Sequence, residues 1–364
     1  NFSTVMLRFY RMLCKSNCLA YFCKMDSLTQ IVLGAACGEA ILGKKIGNKA
    51  LLFGAIGGTI PDLDVFIGRL LYNNEIQAMA FHRGFMHSIL FALIGCFFFG
   101  WITYKLYNTG NRKDSTTLRN WILLFFWAIF THPILDCFTP YGTQLFAPFS
   151  DYRVAFNNIS VVDPLYTLPF LICIIILMFF KRNKPKRQIW LKAGIYISSA
   201  YMILTIFNKF YMDAVFKKSF EKAGISYTRF TAQPTILNNI LWYAVAETEN
   251  DYHYAFYSLF DKSAISEKII KIKKKHDIID MNDANLQTLA WFSNGYFKIN
   301  KKEKIGTYKY IDLRYPPLNP DDANTSVFNF TLFNESDEWD ILPFNGNPPN
   351  GEDFSIFIER IKGI

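Results

Sequence analysis

Long apolar runs fill residues 28–210, yet carboxylates, imidazoles and a guanidinium are set between them. An ionisable group at such a position is expensive to keep without a partner, so the fold must bring these groups to one another or to an ion. Stretches 88–104, 121–138, 165–180 and 189–207 are each near the length that crosses a hydrocarbon core of roughly 30 Å as a helix. Two shorter runs, 28–42 and 50–60, are joined by Lys44-Lys45-Ile46-Gly47-Asn48-Lys49. Gly34, Ala35, Ala36, Gly38, Gly54, Gly57 and Gly58 would let these two approach closely as a hairpin; the other reading is partial entry into the bilayer.

Beyond residue 212 the composition changes to an ordinary polar mixture. The expected architecture is an α-helical polytopic membrane domain over 25–212, followed by a smaller α+β extramembrane domain over 213–364. Residues 1–24 form a basic extension with Cys14, Cys18 and Cys23; no second Cys or His pair follows at zinc-ribbon spacing, and no function is assigned to it. The 36 phenylalanines and 20 tyrosines suit lipid-facing and interfacial positions. A net charge of +9 could signal nucleic acid, but the basic residues are spread over short loops and a Lys-rich stretch at 268–275, which reads as topology signal and solvated helix face.

Lys181, Arg182, Lys184, Lys186, Arg187 and Lys192 occur in 181–192 without an acid, which by the positive-inside rule puts that loop in the cytoplasm. Alternation then places 61–87, 138–163 and everything after 207 on the opposite face. That face collects Pro61-Asp62-Leu63-Asp64, His82-Arg83-Gly84-Phe85-Met86-His87-Ser88 and the end of the run holding His132 and Asp136. Asp oxygen and neutral His nitrogen are ordinary ligands of divalent metals, zinc among them. His132 and Asp136, four residues apart, share a helical face. A metal site, a proton relay and a structural contact are all compatible with that pair; three of the chain's five histidines lying in these motifs favours metal. Glu39 is a further carboxylate in an apolar run, structural or functional. Asp163, before Pro164, reads as a helix cap or an extra ligand. Arg83 and Arg153 suit either a phosphate oxygen or neutralisation of the carboxylates.

Over 25–168 the chain resembles the YdjM-like family of membrane-bound, metal-dependent hydrolases of bacteria. The resemblance rests on Met25-Asp26-Ser27-Leu28-Thr29-Gln30, Pro61-Asp62-Leu63-Asp64, His82-Arg83-Gly84, His87-Ser88, His132 with Asp136, and Tyr141-Gly142-Thr143 in that order. That family is thought to be distantly similar to zinc-dependent phospholipase C and P1 nuclease. The resemblance implies a bacterial inner membrane location and a metal set of Asp62, Asp64, His82, His87, His132 and Asp136. Gln30 stands where many relatives have His, and Gln is a poor zinc ligand. The implied chemistry is hydrolysis of a lipid or lipid-linked phosphoester by metal-activated water, with Asp64 taking the proton and Arg83 assisting. Two alternatives are a transporter using the same ionisable residues as a pathway, and a membrane-anchored regulatory or scaffold protein acting through its C-terminal domain. No internal repeat of the transporter kind is evident.

In that domain, 241–248 and 252–259 read as a hairpin about Glu249-Asn250-Asp251. Further strands are expected at 306–313 and 326–333, and helices at 263–275, 285–293 and 354–361. Trp242 and His253 read as sheet-face residues. The domain contains no cysteine.

Overall fold

The computed structural model describes residues 19–302, 304–326, 328–335, 338–342 and 351–364; Cys14 and Cys18 of the basic extension lie outside them. The chain divides into two compact units, one of residues 22–66 with 81–205, the other of 67–80 with 206–364.

The first unit is helical. Helices α1 (Leu19–Ile46) and α2 (Asn48–Thr59) turn back on each other at Gly47, whose φ of 61° and ψ of −137° suit only glycine. Their backbones then run nearly in contact: a Cβ on Gly54 would lie 2.2 Å from the Gly34 carbonyl oxygen, and one on Gly34 would lie 2.4 Å from that of Gly54. The small residues therefore form the helical hairpin expected of them. A break at Pro61 bends the chain by 46° into α3 (Asp64–Leu71); the chain passes into the second unit within this helix and leaves it at the end of α4 (Glu75–Phe81).

Helices α5 (Ile89–Tyr107), α6 (Leu118–Asp136) and the first half of α8 (Pro185–Lys222) are long and apolar enough to cross a membrane; the bent α2–α3 pair makes a fourth candidate. Only 22% of the most apolar stretch of α5 is buried within the protein, and Leu93, Ile94, Phe97, Phe98 and Trp101 face outward. An outward apolar stripe of that length has lipid as its natural solvent. The opposite face of α5 packs on α6 through Ala92 and Cys96 against Trp121, Phe125 and Ile129. Helix α7 (Pro164–Met178) has 15 residues, about 22 Å, so the full-length span expected at 165–180 is shorter than a bilayer core. Asp163 sets its start by accepting from the Leu165 and Tyr166 amides. Arg187 sets its end by donating to the carbonyls of Leu177 and Phe180.

The second unit carries two antiparallel four-stranded sheets, in the orders β1-β2-β3-β4 and β5-β6-β7-β8. The first contains β1 (Arg229–Pro234), β2 (Leu241–Glu247), β3 (Asp251–Ser258) and β4 (Ile269–Lys273). The second contains β5 (Phe297–Lys301), β6 (Thr307–Asp312), β7 (Asn329–Glu335) and β8 (Glu338–Leu342). Strand β2 is buried on both faces, and its period of two divides the work. Leu241, Tyr243 and Val245 join Tyr252, Tyr254, Ile311, Leu313 and Phe357 in one core. Trp242, Ala244 and Ala246 pack on Met212, Val215, Phe216 and Phe220 of the second half of α8. Helices α9 (Ala284–Phe292) and α10 (Gly351–Ile361) complete an α+β domain.

The hairpin expected around residues 249–251 pairs Leu241 with Ser258 through to Glu247 with Tyr252, and Trp242 and His253 lie in its strands. The helix expected at 263–275 does not form. Residues 269–273 are instead edge strand β4, with Ile272 turned into the core and Lys271 and Lys273 outward. Three isoleucines in four positions favour extended backbone, and lysines suit an unpaired sheet edge. Segment 67–80 belongs to this unit through polar contacts. Asn74 donates to the Trp339 carbonyl at 2.8 Å, the Glu75 amide to Asp340 at 2.9 Å, and Gln77 to Asn285 at 3.0 Å.

Candidate metal centre

The first unit brings the expected ligand residues to one end of its bundle. Asp62 lies in the 3-10 turn Pro61–Leu63 that follows α2. His87 lies in the turn Phe85–His87, directly before Ser88 caps α5 by accepting from the Phe91 amide at 3.0 Å. His132 and Asp136 occupy the last turn and a half of α6. In space, His87 Nε2 is 3.5 Å from Asp62 Oδ1 and 3.5 Å from Asp136 Oδ2; His132 Nε2 is 3.4 Å from each of the same oxygens.

Those four distances can be compared with coordination geometry. Two ligand atoms on a tetrahedral ion are separated by about 1.63 bond lengths, so bonds of about 2.1 Å put them about 3.4 Å apart. The His87 and His132 nitrogens thus stand at that ligand-to-ligand spacing from one oxygen of Asp62 and one of Asp136, and Asp62, His87 and His132 bring one ligand atom each to within 4.8 Å of one another. His87 Nε2 and Asp136 Oδ2 are fully buried and make no hydrogen bond. Buried polar atoms left this way are costly unless something satisfies them. This donor set fits a divalent cation.

Around the four lies an outer layer that fixes their orientation. His132 Nδ1 is 2.5 Å from the Gly58 carbonyl oxygen, which makes Nδ1 the protonated nitrogen and turns the Nε2 lone pair inward. His87 Nδ1 lies 3.0 Å from Asp64 Oδ2. Asp136 Oδ1 accepts from Gln30 Nε2 at 2.8 Å, and the same amide donates to the His132 carbonyl at 3.2 Å. Ser27 donates to Asp62 Oδ2 at 3.3 Å.

Asp64 and His82 occupy a different position from the other four. Asp64 Oδ1 is 2.8 Å from His82 Nδ1, and Oδ2 accepts from the Arg83 amide at 3.0 Å. Together with His87 these residues form a second acid–histidine group of metal-ligating types. Its separations of 2.8–3.0 Å are those of hydrogen-bonded partners, shorter than the edge of a coordination tetrahedron. His82 keeps 13% of its side chain exposed, whereas Asp64 keeps 1%. Arg83 holds a left-handed backbone, φ 59°, which is uncommon for a residue with a side chain. Its Nε lies 3.4 Å from Asp136 Oδ2, and its guanidinium donates to Thr139 at 2.9 Å. Arg83 therefore balances the carboxylates. Arg153 donates to the His82 and Gly142 carbonyls, and both guanidiniums lie over the Tyr141 ring at 4.8 and 5.0 Å.

Of the residues left open by the sequence, Asp163 is a helix cap, tied further to Tyr201 at 2.8 Å. Glu39 forms a buried bidentate pair with Arg187, both contacts 2.6 Å, and is absent from the ligand cluster. The sequence reading did not foresee the Gly58 carbonyl, Ser27, Thr139 and Tyr141 as supports. Ser27 and Tyr141 lie inside motifs of the family resemblance, whereas a backbone carbonyl leaves no residue-type signal.

A family model described as "YdjM inner membrane protein" matches residues 25–212. The chain is also 32% identical over 187 residues to the Bacillus subtilis (strain 168) protein named "Uncharacterized protein YfhP"; the match covers 50% of this chain and 51% of that one. The chain thus spans about half the length of the curated relative it matches. No solved structure matches it. The matched segment holds the helical bundle and every residue of the acid–histidine cluster, and this chain belongs to the YdjM inner membrane protein family.

Proposed function

We propose that the protein is a membrane-bound, metal-dependent hydrolase that cleaves a phosphoester of a lipid or lipid-linked substrate. The observation that carries this reading is the convergence of two buried histidine nitrogens on one oxygen of Asp62 and one of Asp136, all four nitrogen–oxygen separations being 3.4–3.5 Å. Zinc is the ion best suited to such a mixed nitrogen and oxygen set. Asp62, His87, His132 and Asp136 would hold it, where it would supply Lewis acidity and activate a water.

The protein's own groups divide the remaining tasks. The Asp64–His82 pair suits proton transfer: Asp64 engages Nδ1 of His82 and leaves Nε2 of a partly exposed ring to take up a proton. That moves the base assignment from Asp64, which is buried and already engaged, to His82. Asp64 becomes the residue that positions both imidazoles. Arg83 and Arg153 surround the site with positive charge suited to a phosphoryl oxygen.

A lipid substrate follows from the outward apolar faces of the flanking helices. The positive-inside rule, applied to the turns at 44–49 and 181–187, supports an extracytoplasmic position for the metal set. The histidines and aspartates of the cluster converge on one another at one end of the bundle, which favours a catalytic centre over transport.

The test is metal analysis of the purified protein, followed by assay on phosphodiester and phosphomonoester lipids with zinc or manganese supplied. About one ion per chain, and turnover lost in His87→Ala, are expected. A folded protein that takes up no stoichiometric metal overturns the site; stoichiometric metal without hydrolysis of any phosphoester overturns the reaction while leaving the site.

A further inference from the structure

At the other end of the same bundle lies a second, unrelated concentration of charge. Gln30 and Lys45 are 15 residues apart on α1, about 22 Å along its axis. There the α1–α2 turn meets the α7–α8 turn. Between them opens a shallow cavity of about 840 Å³ lined by Lys49, Lys181, Arg182, Lys184, Phe179 and Arg187, among others. We propose that this cavity binds the head group of an anionic phospholipid.

Charge arithmetic is the first argument. Segments 39–49 and 178–192 hold nine lysines and arginines against one acid, Glu39. Glu39 is consumed by its bidentate pair with Arg187 and is wholly buried. Among the described residues no carboxylate pairs with Lys49, Lys181 or Lys184, so the cavity rim carries uncompensated positive charge. Each lysine or arginine near a membrane surface attracts anionic lipid.

The second argument is that the cavity is built. The Arg187 guanidinium, 1% exposed, joins Glu39, Asn48 Oδ1 at 2.8 Å and the Leu177 and Phe180 carbonyls. Asn48 in turn donates to the Met178 carbonyl at 3.0 Å, and Arg182 donates to the Lys45 carbonyl. The two turns are thereby locked together, with the basic side chains carried on a fixed floor.

The third argument separates a lipid from a free anion. Phe179 stands at the rim with 83% of its surface exposed, and the adjoining Met178 is 44% exposed. They continue the apolar outer face of α7, where Leu168, Ile172 and Ile175 also point outward. A phosphate seated among the lysines would have its acyl chains beside that face. Inorganic phosphate would use only the charge.

The experiment is native mass spectrometry and thermal melting of the full-length, detergent-purified protein, with phosphatidylglycerol, phosphatidylcholine or inorganic phosphate added. The variants are the triple Lys49→Gln/Lys181→Gln/Lys184→Gln and a control, Lys105→Gln/Arg112→Gln/Lys113→Gln. Arg187 is kept because it holds the floor. Phosphatidylglycerol is expected to bind at least tenfold more tightly than phosphatidylcholine and to raise the melting temperature. The rim triple should weaken its binding by about fivefold for each charge removed, while the control retains it. Equal binding of the two lipids, an unchanged affinity in the rim triple, or full competition by millimolar inorganic phosphate would each overturn the proposal. Should the triple fail to fold, Lys181→Gln alone and the lipid comparison on the unmodified protein decide it by the same criteria.

Discussion

Replacing Asp64 by Asn separates a metal ligand from a residue that holds ligands in place. Asp64 faces three nitrogens: His82 Nδ1 at 2.8 Å, the Arg83 amide at 3.0 Å and His87 Nδ1 at 3.0 Å. Asn keeps the volume and one acceptor oxygen but turns an NH2 group toward a nitrogen that needs an acceptor. The Asp62, His87, His132 and Asp136 side chains remain unchanged. Loss of an outer-layer partner of this kind typically weakens metal binding by about 10- to 100-fold, or about 1.4–2.8 kcal/mol. The buried donor left without an acceptor adds a destabilisation of about 1–3 kcal/mol in the melting transition. His87→Ala, by contrast, removes a ligand and is expected to leave the protein without retained metal. The assay is metal per chain after dialysis against a graded series of chelator concentrations, with circular dichroism confirming the helical fold. Asp64→Asn should lose its metal at a chelator strength between those of the unmodified protein and His87→Ala. An Asp64→Asn protein as empty as His87→Ala would make Asp64 a ligand and refute the division of roles; one indistinguishable from the unmodified protein would show that Asp64 does not hold the ring.

Three further outcomes follow from the packing. Glu39→Gln strands the buried Arg187 charge and should destabilise the bundle by about 3–5 kcal/mol, and Glu39→Met with Arg187→Met should not restore it, because the Leu177 and Phe180 carbonyls and Asn48 then lose their donor; thermal melting of the two variants checks both. Gly54→Ala places a Cβ 2.2 Å from the Gly34 carbonyl oxygen and should lower stability by about 1–3 kcal/mol. Gly95→Ala, whose nearest new contact is the end of the Ile129 side chain at 3.5 Å, should melt like the unmodified protein. In the α+β domain, burial beside Phe297, whose ring lies 3.9 Å away, pushes the His276 imidazole below its usual pKa, with Lys274 adding to the effect. A lowered histidine pKa means that the unfolded chain binds the proton first. Stability is therefore full above about pH 6.5 and declines as the pH falls below it. Urea unfolding followed by tryptophan fluorescence should show that slope, reduced in His276→Gln.

The helical bundle was legible because its constraints are local in sequence. Run length, the basic turns and the small residues of 34–58 each act on the segment that carries them, and the α1–α2 hairpin follows from them directly. The α+β domain was legible in part. Strands β2 and β3 are dense in aromatic and β-branched residues and flank a turn signal, so their pairing could be read. Strand β4 could not. The lysines in and beside it, at 268, 271, 273, 274 and 275, match a solvated helix face as well as a sheet edge, and the choice is made by the partner strand β3 and by the core that receives Ile272. The interruption at 67–80 was equally hidden, because Asn74 and Gln77 are ordinary surface residues until Trp339 and Asn285 are placed beside them.

At the cluster, residue type identified the members but not their roles. Asp62 and Asp64 are two residues apart in one motif, yet one oxygen of Asp62 lies 3.5 and 3.4 Å from the His87 and His132 nitrogens, a ligand-to-ligand spacing, while Asp64 turns both oxygens to hydrogen-bonding nitrogens. What separates them is the chain's bend at Pro61: Asp62 lies within the 3-10 turn and Asp64 opens the next helix. Gln30 is resolved by the same kind of evidence. Its amide holds Asp136 Oδ1 and the His132 carbonyl, so its role here is to orient two ligands that belong to another helix. At position 30 the chain thus carries a residue that acts on Asp136 and on the end of the His132 helix through hydrogen bonds, a role that residue type alone does not reveal.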